Sequence, residues 1–264
     1  MERGGFIMQN NLDFAVVGND ARLFFCTEAL KKRGYAAAQF SGGVPPTAKY
    51  YLFAPPLNAS RLENIAILRK GVEVFAGAVS NEAREMIKAS GAFLTDYAAN
   101  ERFAYANAEL TAEAAMLIYS GASAKSFLGA EVLVCGFGRI GKALAHLLRA
   151  FGADVTASAR KIKDIELIRA YGCKPMETAG IRGEYDVIFN TVPAHVFTRD
   201  ILDRTKTEYY VELASAPFGM ADTNAWSVGT KVIKAGGLPG KVFPVTAGRL
   251  IAETVCTILE ERRI

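Results

Sequence analysis

The chain has 264 residues, of which 51% are hydrophobic, and this supplies enough apolar material for two folded cores. Its 31 basic and 27 acidic residues give a formal net charge of +4, with no basic run interleaved with aromatic residues, so nucleic acid is not an expected partner. No apolar stretch reaches the roughly 18 residues of a membrane-spanning helix. We therefore expect a soluble, cytoplasmic protein with no membrane partner.

The N-terminal residues 1–12 are rich in glycine and amide side chains rather than signal-like, and we expect them to be flexible. The four cysteines lie far apart, form no C-x-x-C pair and have few histidines with which to share a metal. We predict reduced, buried thiols and no metal site. These cysteines are Cys26, Cys135, Cys173 and Cys256.

Strands and helices alternate through residues 13–110, a pattern typical of a parallel sheet covered by helices. The first predicted strand, 13–17, turns at Gly18 into a helix with an apolar stripe. That stripe is Leu23, Phe24, Cys26 and Leu30. Further strands are predicted at 50–53, 72–76 and 92–95, and helices near 60–69 and 81–89. We expect this region to be an α/β substrate domain.

The alanine-rich segment 101–120 predicts a helix that is interrupted at 107–111 and starts again at Thr111. The second part, 111–128, is expected to be a linker helix between two domains. Glu113 would lie in its first turn, where the helix dipole favours an acid without any function. The same position suits a general base.

The segment 131–143 says most about function, because an apolar strand leads into a glycine loop and directly into a helix. Gly136 permits the tight turn, Gly138 lets the backbone approach a pyrophosphate, and Gly141 lets the helix pack on the strand. The helix N-terminus adds free N–H groups and a positive dipole. The predicted cofactor-binding residues of this loop are Gly136, Phe137, Gly138, Arg139, Ile140 and Gly141.

Two other interpretations of this loop compete with a cofactor site. One is an ordinary glycine-tolerant turn between a strand and a helix. The other is a Walker A loop, which the spacing from Gly136 to Lys142 nearly matches, but Ala143 supplies no hydroxyl for magnesium. A P-loop nucleotidase is therefore not expected.

The cofactor predicted from the second strand of this domain is NADP. A site for NAD places an acid about 20 residues after the glycines, where it accepts hydrogen bonds from the ribose hydroxyls. Here that stretch carries Ser158, Arg160 and Lys161 instead, a hydroxyl and two cations that suit a 2′-phosphate. The alternative is that the cations only begin a solvated helix.

Strands predicted at 131–135, 154–159, 186–190, 209–213 and 230–234 make residues 129–245 a Rossmann domain. The predicted fold class is two Rossmann-like, doubly wound parallel-sheet α/β domains joined by the linker helix. A glycine- and proline-rich loop at 235–244 follows. Thr246 is predicted to cap a last helix, and residues 246–264 are expected to pack back on the first domain.

Ligands of doubly wound sheets bind beyond the carboxyl ends of the strands. Two such ends carry candidates for the nicotinamide side, although both can be ordinary strand ends. They are Thr191, Val192 and Pro193 after one strand, and Ala214 and Ser215 after the next. His195 is either a proton carrier or a polar loop residue, and His146 is assigned no role.

Arg22 lies in the first turn of its helix, where the dipole disfavours a cation by roughly 0.3 to 1 kcal/mol. A bound anion would explain this placement, and so would ordinary solvation of a long side chain. Lys241 has the same two interpretations.

Several motifs, taken in order, resemble the family of the dipicolinate synthase A subunit over nearly the whole chain after residue 12. The glycine loop is shared with many dehydrogenases, whereas the first, third and last motifs are more specific. The motifs are Val16-Val17-Gly18-x-Asp20-Ala21-Arg22, Asp96-Tyr97, Asn107-Ala108-x-x-Thr111-Ala112-Glu113, Cys135-Gly136-Phe137-Gly138-Arg139-x-Gly141, Asn190-Thr191-Val192-Pro193, Leu213-Ala214-Ser215-x-Pro217 and Gly237-Leu238-Pro239-Gly240-Lys241-Val242-x-Pro244-x-Thr246-Ala247-Gly248.

This resemblance implies NADP-dependent oxidation of dihydrodipicolinate to dipicolinate in a spore-forming bacterium, with the B subunit of dipicolinate synthase, a flavoprotein, as partner. We also expect a homo-oligomer. A dianionic substrate needs cations and helix N-termini, and Arg22, Lys241 and the helix start near Thr111 are expected to converge on it. Ser80 and Asn81 are further candidates. Glu113 is the first candidate for the base and His195 the second.

The chain is short for that family between about residues 36 and 60, which allows a paralogue with another dicarboxylate substrate. A dehydrogenase of 2-hydroxy acids is the enzymatic alternative, but it should carry a histidine near its C-terminus, and none follows His195. A non-catalytic protein that senses NADP is the alternative from another class.

Overall fold

The computed structural model describes residues 12–42, 47–62, 68–222, 226 and 229–262. The predicted flexible N-terminus therefore lies outside the described residues, apart from Leu12. The chain divides into two compact units. Unit 1 comprises Met1–Ala104 and Phe243–Ile264, and unit 2 comprises Tyr105–Val242. Each unit has one parallel sheet, so the predicted class of two parallel-sheet α/β domains is confirmed.

In chain order the elements are β1 (Leu12–Val17), α1 (Ala21–Lys32), β2 (Ala37–Phe40), β3 (Ala48–Phe53), β4 (Glu73–Ala76), α2 (Asn81–Ala89), β5 (Phe93–Asp96), α3 (Glu101–Ser123), β6 (Glu131–Cys135), α4 (Arg139–Ala150), β7 (Asp154–Ala159), α5 (Ile162–Ala170), β8 (Lys174–Glu177), β9 (Gly183–Asn190), α6 (Arg199–Asp203), β10 (Thr205–Glu212), β11 (Lys231–Lys234), α7 (Leu238–Val242) and α8 (Pro244–Glu261).

The two sheets differ in strand order. Unit 1 has the order β2-β1-β3-β4-β5, and unit 2 has β11-β10-β9-β6-β7-β8. Counted within unit 2, the second order is 6-5-4-1-2-3, that of the dinucleotide-binding Rossmann fold. Its strands contain mostly buried apolar residues, as a parallel sheet covered on both faces requires.

Helix α8 packs against α1 within unit 1, and both helices contribute to one buried apolar cluster. The approach is close at Gly248, where an added β-carbon would lie 2.3 Å from the carbonyl oxygen of Arg22. Ile251, Val255 and Leu259 continue the buried face of α8. The apolar stripe predicted for α1 is buried except at Phe24, which is 57% exposed.

The predicted interruption at 107–111 is wrong, because α3 is continuous from Glu101 to Ser123. Thr111 lies in the middle of this helix, and its hydroxyl donates to the carbonyl oxygen of Asn107 at 2.7 Å. A threonine that bonds the carbonyl four residues earlier is compatible with an unbroken helix. The linker helix therefore neither begins at 111 nor extends to 128.

Two predictions near the C-terminus are also wrong. Residue Phe243, not Thr246, is the N-cap of α8, and Pro244 begins the helix. Proline suits this position because its fixed φ is helical and the missing N–H would have had no helical partner. The expected loop at 235–244 contains the short helix α7.

Strands β2 and β8 were not predicted, because both are short and neither has a strong alternation of polar and apolar residues. Where a helix was predicted near 60–69, the structure has a short 3₁₀ turn at Ala59–Arg61 and no regular structure at 68–69. Residues 63–67 lie outside the described part of the chain.

All four cysteines are free and buried, as predicted. Burial raises the pKa of the Cys135 thiol to about 12. Within the described ranges, no group of side chains could hold a metal ion. Among the same residues, no helix is long and apolar enough to cross a membrane.

Candidate cofactor site

The glycine loop of unit 2 follows β6, at the point where the strand order reverses. Strand β6 pairs with β7 on one side and with β9 on the other. In a doubly wound sheet, such a switch point opens a crevice outside the carboxyl ends of the strands, and dinucleotides bind there. The predicted loop therefore stands where this fold holds a pyrophosphate.

The backbone of this loop leaves no room for side chains at two of its glycines. A β-carbon at Gly141 would lie 2.1 Å from the carbonyl oxygen of Gly136. A β-carbon at Gly136, where φ is +97°, would lie 2.5 Å from Oγ1 of Thr191. The Thr191 hydroxyl also donates to the carbonyl oxygen of Cys135 at 2.9 Å, which ties the glycine turn to the end of β9. Glycine at 136 and 141 is thus required by the close packing of strand, turn and helix.

The third glycine leaves the N-terminus of α4 open. Gly138 is the N-cap and makes no side-chain capping hydrogen bond, and an added β-carbon at 138 would meet nothing within 4 Å. The first N–H groups of a helix need acceptors, and the dipole favours an anion there. The residues present therefore fit a pyrophosphate at this turn. The next residue, Arg139, is exposed, with its guanidinium 5.4 Å from the centroid of the Tyr105 ring.

The two cations predicted to select NADP are exposed directly after β7, at Arg160 and Lys161. The prediction that Ser158 donates to a 2′-phosphate is wrong, because its side chain is 0% exposed. Ser158 pairs in register with Cys135 of the neighbouring strand, so it lies within the sheet before the chain reaches the surface. Of the three residues predicted for a phosphate on the ribose, Arg160 and Lys161 are exposed and remain candidates.

The loops after β9 and β10 carry the residues predicted for the nicotinamide side. Of these, Pro193 and Ser215 are exposed, Thr191 and Val192 are half-buried, and Ala214 is buried. All follow the carboxyl ends of adjacent strands, so one edge of the sheet brings them together.

The structure places His195 in the loop after β9, exposed, with Nε2 3.0 Å from the carbonyl oxygen of Pro217. A carbonyl only accepts hydrogen bonds, so this contact requires the proton on Nε2. This contact therefore assigns the tautomer of the neutral ring, in which Nδ1 is the nitrogen that accepts hydrogen bonds.

Glu113, the first candidate for the base, is exposed on α3. It lies well inside that helix, so the explanation that placed it in a first turn no longer holds. His195, in contrast, lies in the loop that follows the carboxyl end of β9.

Sequence reasoning assigned no role to Asn190 or Glu212, the last residues of β9 and β10. Both side chains are almost fully buried, and Asn190 Nδ2 donates to Glu212 Oε1 at 2.7 Å. An acid inside an otherwise apolar run, as in Tyr210-Val211-Glu212-Leu213, was the available signal, because ionised groups are rarely buried without partners.

In unit 1, Arg22 is buried and its charge is paired internally. Its Nε and Nη2 donate to Asp20 at 2.8 and 2.7 Å, and Nη2 also donates to the carbonyl oxygen of Pro55 at 2.6 Å. Burial alone would raise the pKa of Asp20, but the hydrogen bonds from Arg22 outweigh it and the net shift is downward. A bound anion is not needed to explain this arginine.

The other predicted substrate residues fall in both units. Ser80 caps α2 by accepting from the N–H of Ala83 at 3.2 Å, and Asn81 is exposed beside it. In unit 2, Lys241 is exposed on α7. Thr111 offers no helix N-terminus, because its backbone lies inside α3, and that prediction is wrong.

Comparison with known proteins agrees with this geometry. Residues 97–210 match the family model of the D-isomer specific 2-hydroxyacid dehydrogenase, NAD binding domain. The A subunit of dipicolinate synthase from Bacillus subtilis (strain 168) is 33% identical over 137 residues, which make up 50% of this chain and 46% of that protein. The alignment thus spans about half the length of this relative.

Two solved structures share the fold over nearly the whole chain. The A subunit of dipicolinate synthase from Bacillus halodurans superposes with a TM-score of 0.78 at 22% identity, covering 93% of this chain and 97% of that one. The A chain of dipicolinate synthase from Bacillus subtilis gives 0.79 at 24% identity, covering 96% and 97%. The resemblance seen in the sequence is confirmed. The chain is similar to the dipicolinate synthase A subunit, and the match of residues 97–210 to an NAD-binding domain model indicates a nicotinamide cofactor.

Proposed function

We propose that the chain is an NADP-dependent oxidoreductase, the A subunit of a dipicolinate synthase that oxidises dihydrodipicolinate to dipicolinate during sporulation. The observation that carries the proposal is the uncapped N-terminus of α4 behind Gly136 and Gly141, built to take a pyrophosphate. The relatives named above supply the substrate class, since they are dipicolinate synthase subunits.

The preference for NADP rests on Arg160 and Lys161, which are exposed where a site for NAD would carry an acid. Guanidinium and ammonium groups pair with a phosphate, and the bond is charge-assisted at both ends. The alternative role of these cations, solvating the start of α5, predicts no discrimination between the two cofactors.

In the proposed reaction the substrate ring loses a hydride from one carbon and a proton from its neighbour, and it becomes aromatic. Bound nicotinamide accepts hydride, which is the chemistry that this cofactor supplies. The chain positions the reactants and takes the proton. We assign the proton to Nδ1 of His195, with Glu113 as the second candidate, because the bond to Pro217 leaves Nδ1 as the free acceptor of that ring.

The substrate carboxylates need partners that the protein has not already used. Among the predicted cations, Arg22 is the weaker candidate for a carboxylate, since Asp20 neutralises its charge. Ser80 already accepts from the N–H of Ala83 as the cap of α2, whereas the ammonium of Lys241 is exposed on α7. We propose that Lys241 binds a carboxylate of the substrate.

The B subunit of dipicolinate synthase, a flavoprotein, is the proposed partner, and a homo-oligomer is proposed for the chain itself. The test is the absorbance of reduced nicotinamide when synthetic dihydrodipicolinate and NADP⁺ are mixed with the protein, with and without this flavoprotein. We expect turnover with NADP⁺ that exceeds turnover with NAD⁺. Tight NADP⁺ binding without turnover in either mixture would instead identify a sensing protein.

A second candidate is the oxidation of another small carboxylate, favoured by the family model that matches residues 97–210. Reduction of NAD⁺ or NADP⁺ by a D-2-hydroxy acid, with none by dihydrodipicolinate, would establish it. The same absorbance assay distinguishes the two substrates.

A further inference from the structure

A row of polar side chains crosses the unit 2 sheet next to its carboxyl edge. Ser158, Cys135, Asn190 and Glu212 stand in register on four adjacent strands. Glu212 is the ionisable acid among them, and its side chain is 2% exposed. An acid buried to this extent requires hydrogen bonds to its oxygens.

The Glu212 carboxylate has two donors for each oxygen. Oε1 accepts from Asn190 Nδ2 at 2.7 Å and from the N–H of Ala214 at 3.1 Å. Oε2 accepts from the hydroxyl of Tyr210 at 2.8 Å and from the N–H of Gly219 at 2.8 Å. All four donors are neutral groups. The carboxylate is thus the common acceptor of two side chains and of both ends of the loop 214–219.

The loop is shaped to reach this carboxylate. A β-carbon at Gly219 would lie 2.3 Å from the Tyr210 hydroxyl oxygen and 2.4 Å from Asn190 Nδ2, so only glycine brings its N–H to Glu212. Between the two anchored ends, residues 215–218 are exposed. The bond from His195 to the carbonyl oxygen of Pro217 joins this loop to the loop after β9.

Asn190 extends the same connection to the loop after β9. Its Nδ2 donates to the carbonyl oxygen of Val192 at 3.1 Å, and its Oδ1 accepts from the N–H of Val192 at 3.2 Å. One buried carboxylate therefore holds the loops that follow two adjacent strands.

We propose that Glu212 is a positioning residue for the nicotinamide half of the cofactor. Each half of this fold binds one mononucleotide. Because Arg160 and Lys161 follow β7, the adenosine with its 2′-phosphate is assigned to the half formed by β6–β8. The β9–β11 half, whose loops Glu212 holds, then receives the nicotinamide nucleotide. The inference rests on the proposed function, because it assumes a dinucleotide cofactor.

The test is Glu212→Gln, which keeps the shape of the side chain but turns one acceptor into an N–H₂ donor facing existing donors. The wild-type protein is titrated calorimetrically with NADP⁺ and NAD⁺. The affinity of the cofactor that binds more tightly is then compared with the affinity of its adenine fragment. That fragment is adenosine 2′,5′-bisphosphate for NADP⁺ and ADP for NAD⁺. We expect Glu212→Gln to weaken the whole cofactor about tenfold or more and the fragment by less than about twofold.

Glu208→Gln is the matched control. It makes the same change on the same strand, at an exposed side chain paired with Lys125, and should alter neither titration. Tyr210→Phe removes one donor to Glu212 and should give a smaller loss in the same direction, which keeps the test decisive if Glu212→Gln does not fold.

Equal losses of cofactor and fragment, or no loss of either, would overturn the positioning role and leave the proposed function standing. A wild-type protein that binds neither NADP⁺ nor NAD⁺ would overturn the proposed function and this inference with it.

Discussion

In both units the first strand leads through a glycine turn into a helix, yet the two helix N-termini are satisfied differently. In unit 1, Asp20 caps α1 by accepting from the N–H of Arg22, whose side chain completes an ion pair with it. In unit 2, Gly138 is the N-cap of α4 and makes no side-chain capping hydrogen bond. The comparison teaches that the N-terminus of a helix is open to an anion when its N-cap residue has no side-chain acceptor.

The second strands of the two sheets extend the contrast. In unit 2, β7 ends in the exposed cations Arg160 and Lys161. In unit 1, β2 leads into Ser41 and Gly42, which carry no charge. Both strands lie beside the first strand of their sheet. Unit 2 alone combines an open helix N-terminus with cations at the neighbouring strand end, within the described residues.

The strongest way to break this contrast is to give α4 the cap that α1 has. Gly138 has φ −77° and open space around it, so Gly138→Asp is sterically tolerated. We expect cofactor affinity to fall by more than about a hundredfold, because like charges at a binding site are worth several kcal/mol. Thermal stability should be unchanged or slightly higher, since aspartate is a good N-cap. Calorimetric titration and thermal unfolding measure the two effects.

Gly138→Ser is the control for this substitution, because it adds a cap without a charge. It should retain far more affinity than Gly138→Asp. Equal affinity in all three proteins would show that no anion binds at the N-terminus of α4.

The next effect sharpens the difference between the two second strands. Arg160→Ala should weaken NADP⁺ binding by about 1.5 to 3 kcal/mol, the contribution of a charge-assisted hydrogen bond, and leave NAD⁺ binding nearly unchanged. Competition titrations with both cofactors measure this difference. Equal losses for the two cofactors would show that Arg160 supports the fold rather than a 2′-phosphate.

A third prediction compares a crowded helix glycine in unit 1 with an open one in unit 2. Gly248→Ala places a β-carbon 2.3 Å from the Arg22 carbonyl oxygen, so α8 must move away from α1, and we expect a loss of about 1 to 3 kcal/mol in stability. Gly121→Ala in α3 meets nothing within 4 Å and should stabilise by about 0.5 to 1 kcal/mol. Chemical denaturation measures the change in the free energy of unfolding for each substitution. Changes of the same sign in both proteins would contradict the close packing at Gly248.

The smallest effect concerns the cap in unit 1. The pKa of Asp20 is lowered in the folded protein, since the hydrogen bonds from Arg22 outweigh the opposing effect of burial. Its carboxylate therefore adds stability above the pKa of an unfolded aspartate, near 3.8, and this contribution is lost as the pH falls through the lower folded value. Asp20→Asn, which still caps, should flatten the loss of stability below about pH 4. Thermal unfolding of both proteins over a range of acidic pH measures this effect. If the stability of the two proteins fell in parallel with pH, the prediction would be contradicted.

Local patterns were sufficient for much of unit 2. The spacing of Gly136, Gly138 and Gly141 between an apolar strand and an amphipathic helix was enough to place the glycine turn between β6 and α4, because its geometry depends on steric limits within a few residues. The parallel α/β class followed from the alternation of elements for the same reason. Such features need no knowledge of distant contacts.

The tertiary structure decided what depends on partners far along the chain. Arg22 is held by Pro55, and Asn190 meets Glu212 only because β9 and β10 pair. The burial of Ser158 likewise follows from its place between neighbouring strands. Strand order and side-chain burial arise from packing between segments that local periodicity cannot relate. Arg22 and Ser158 were therefore predicted as ligands, whereas the fold pairs Arg22 with Asp20 and buries Ser158.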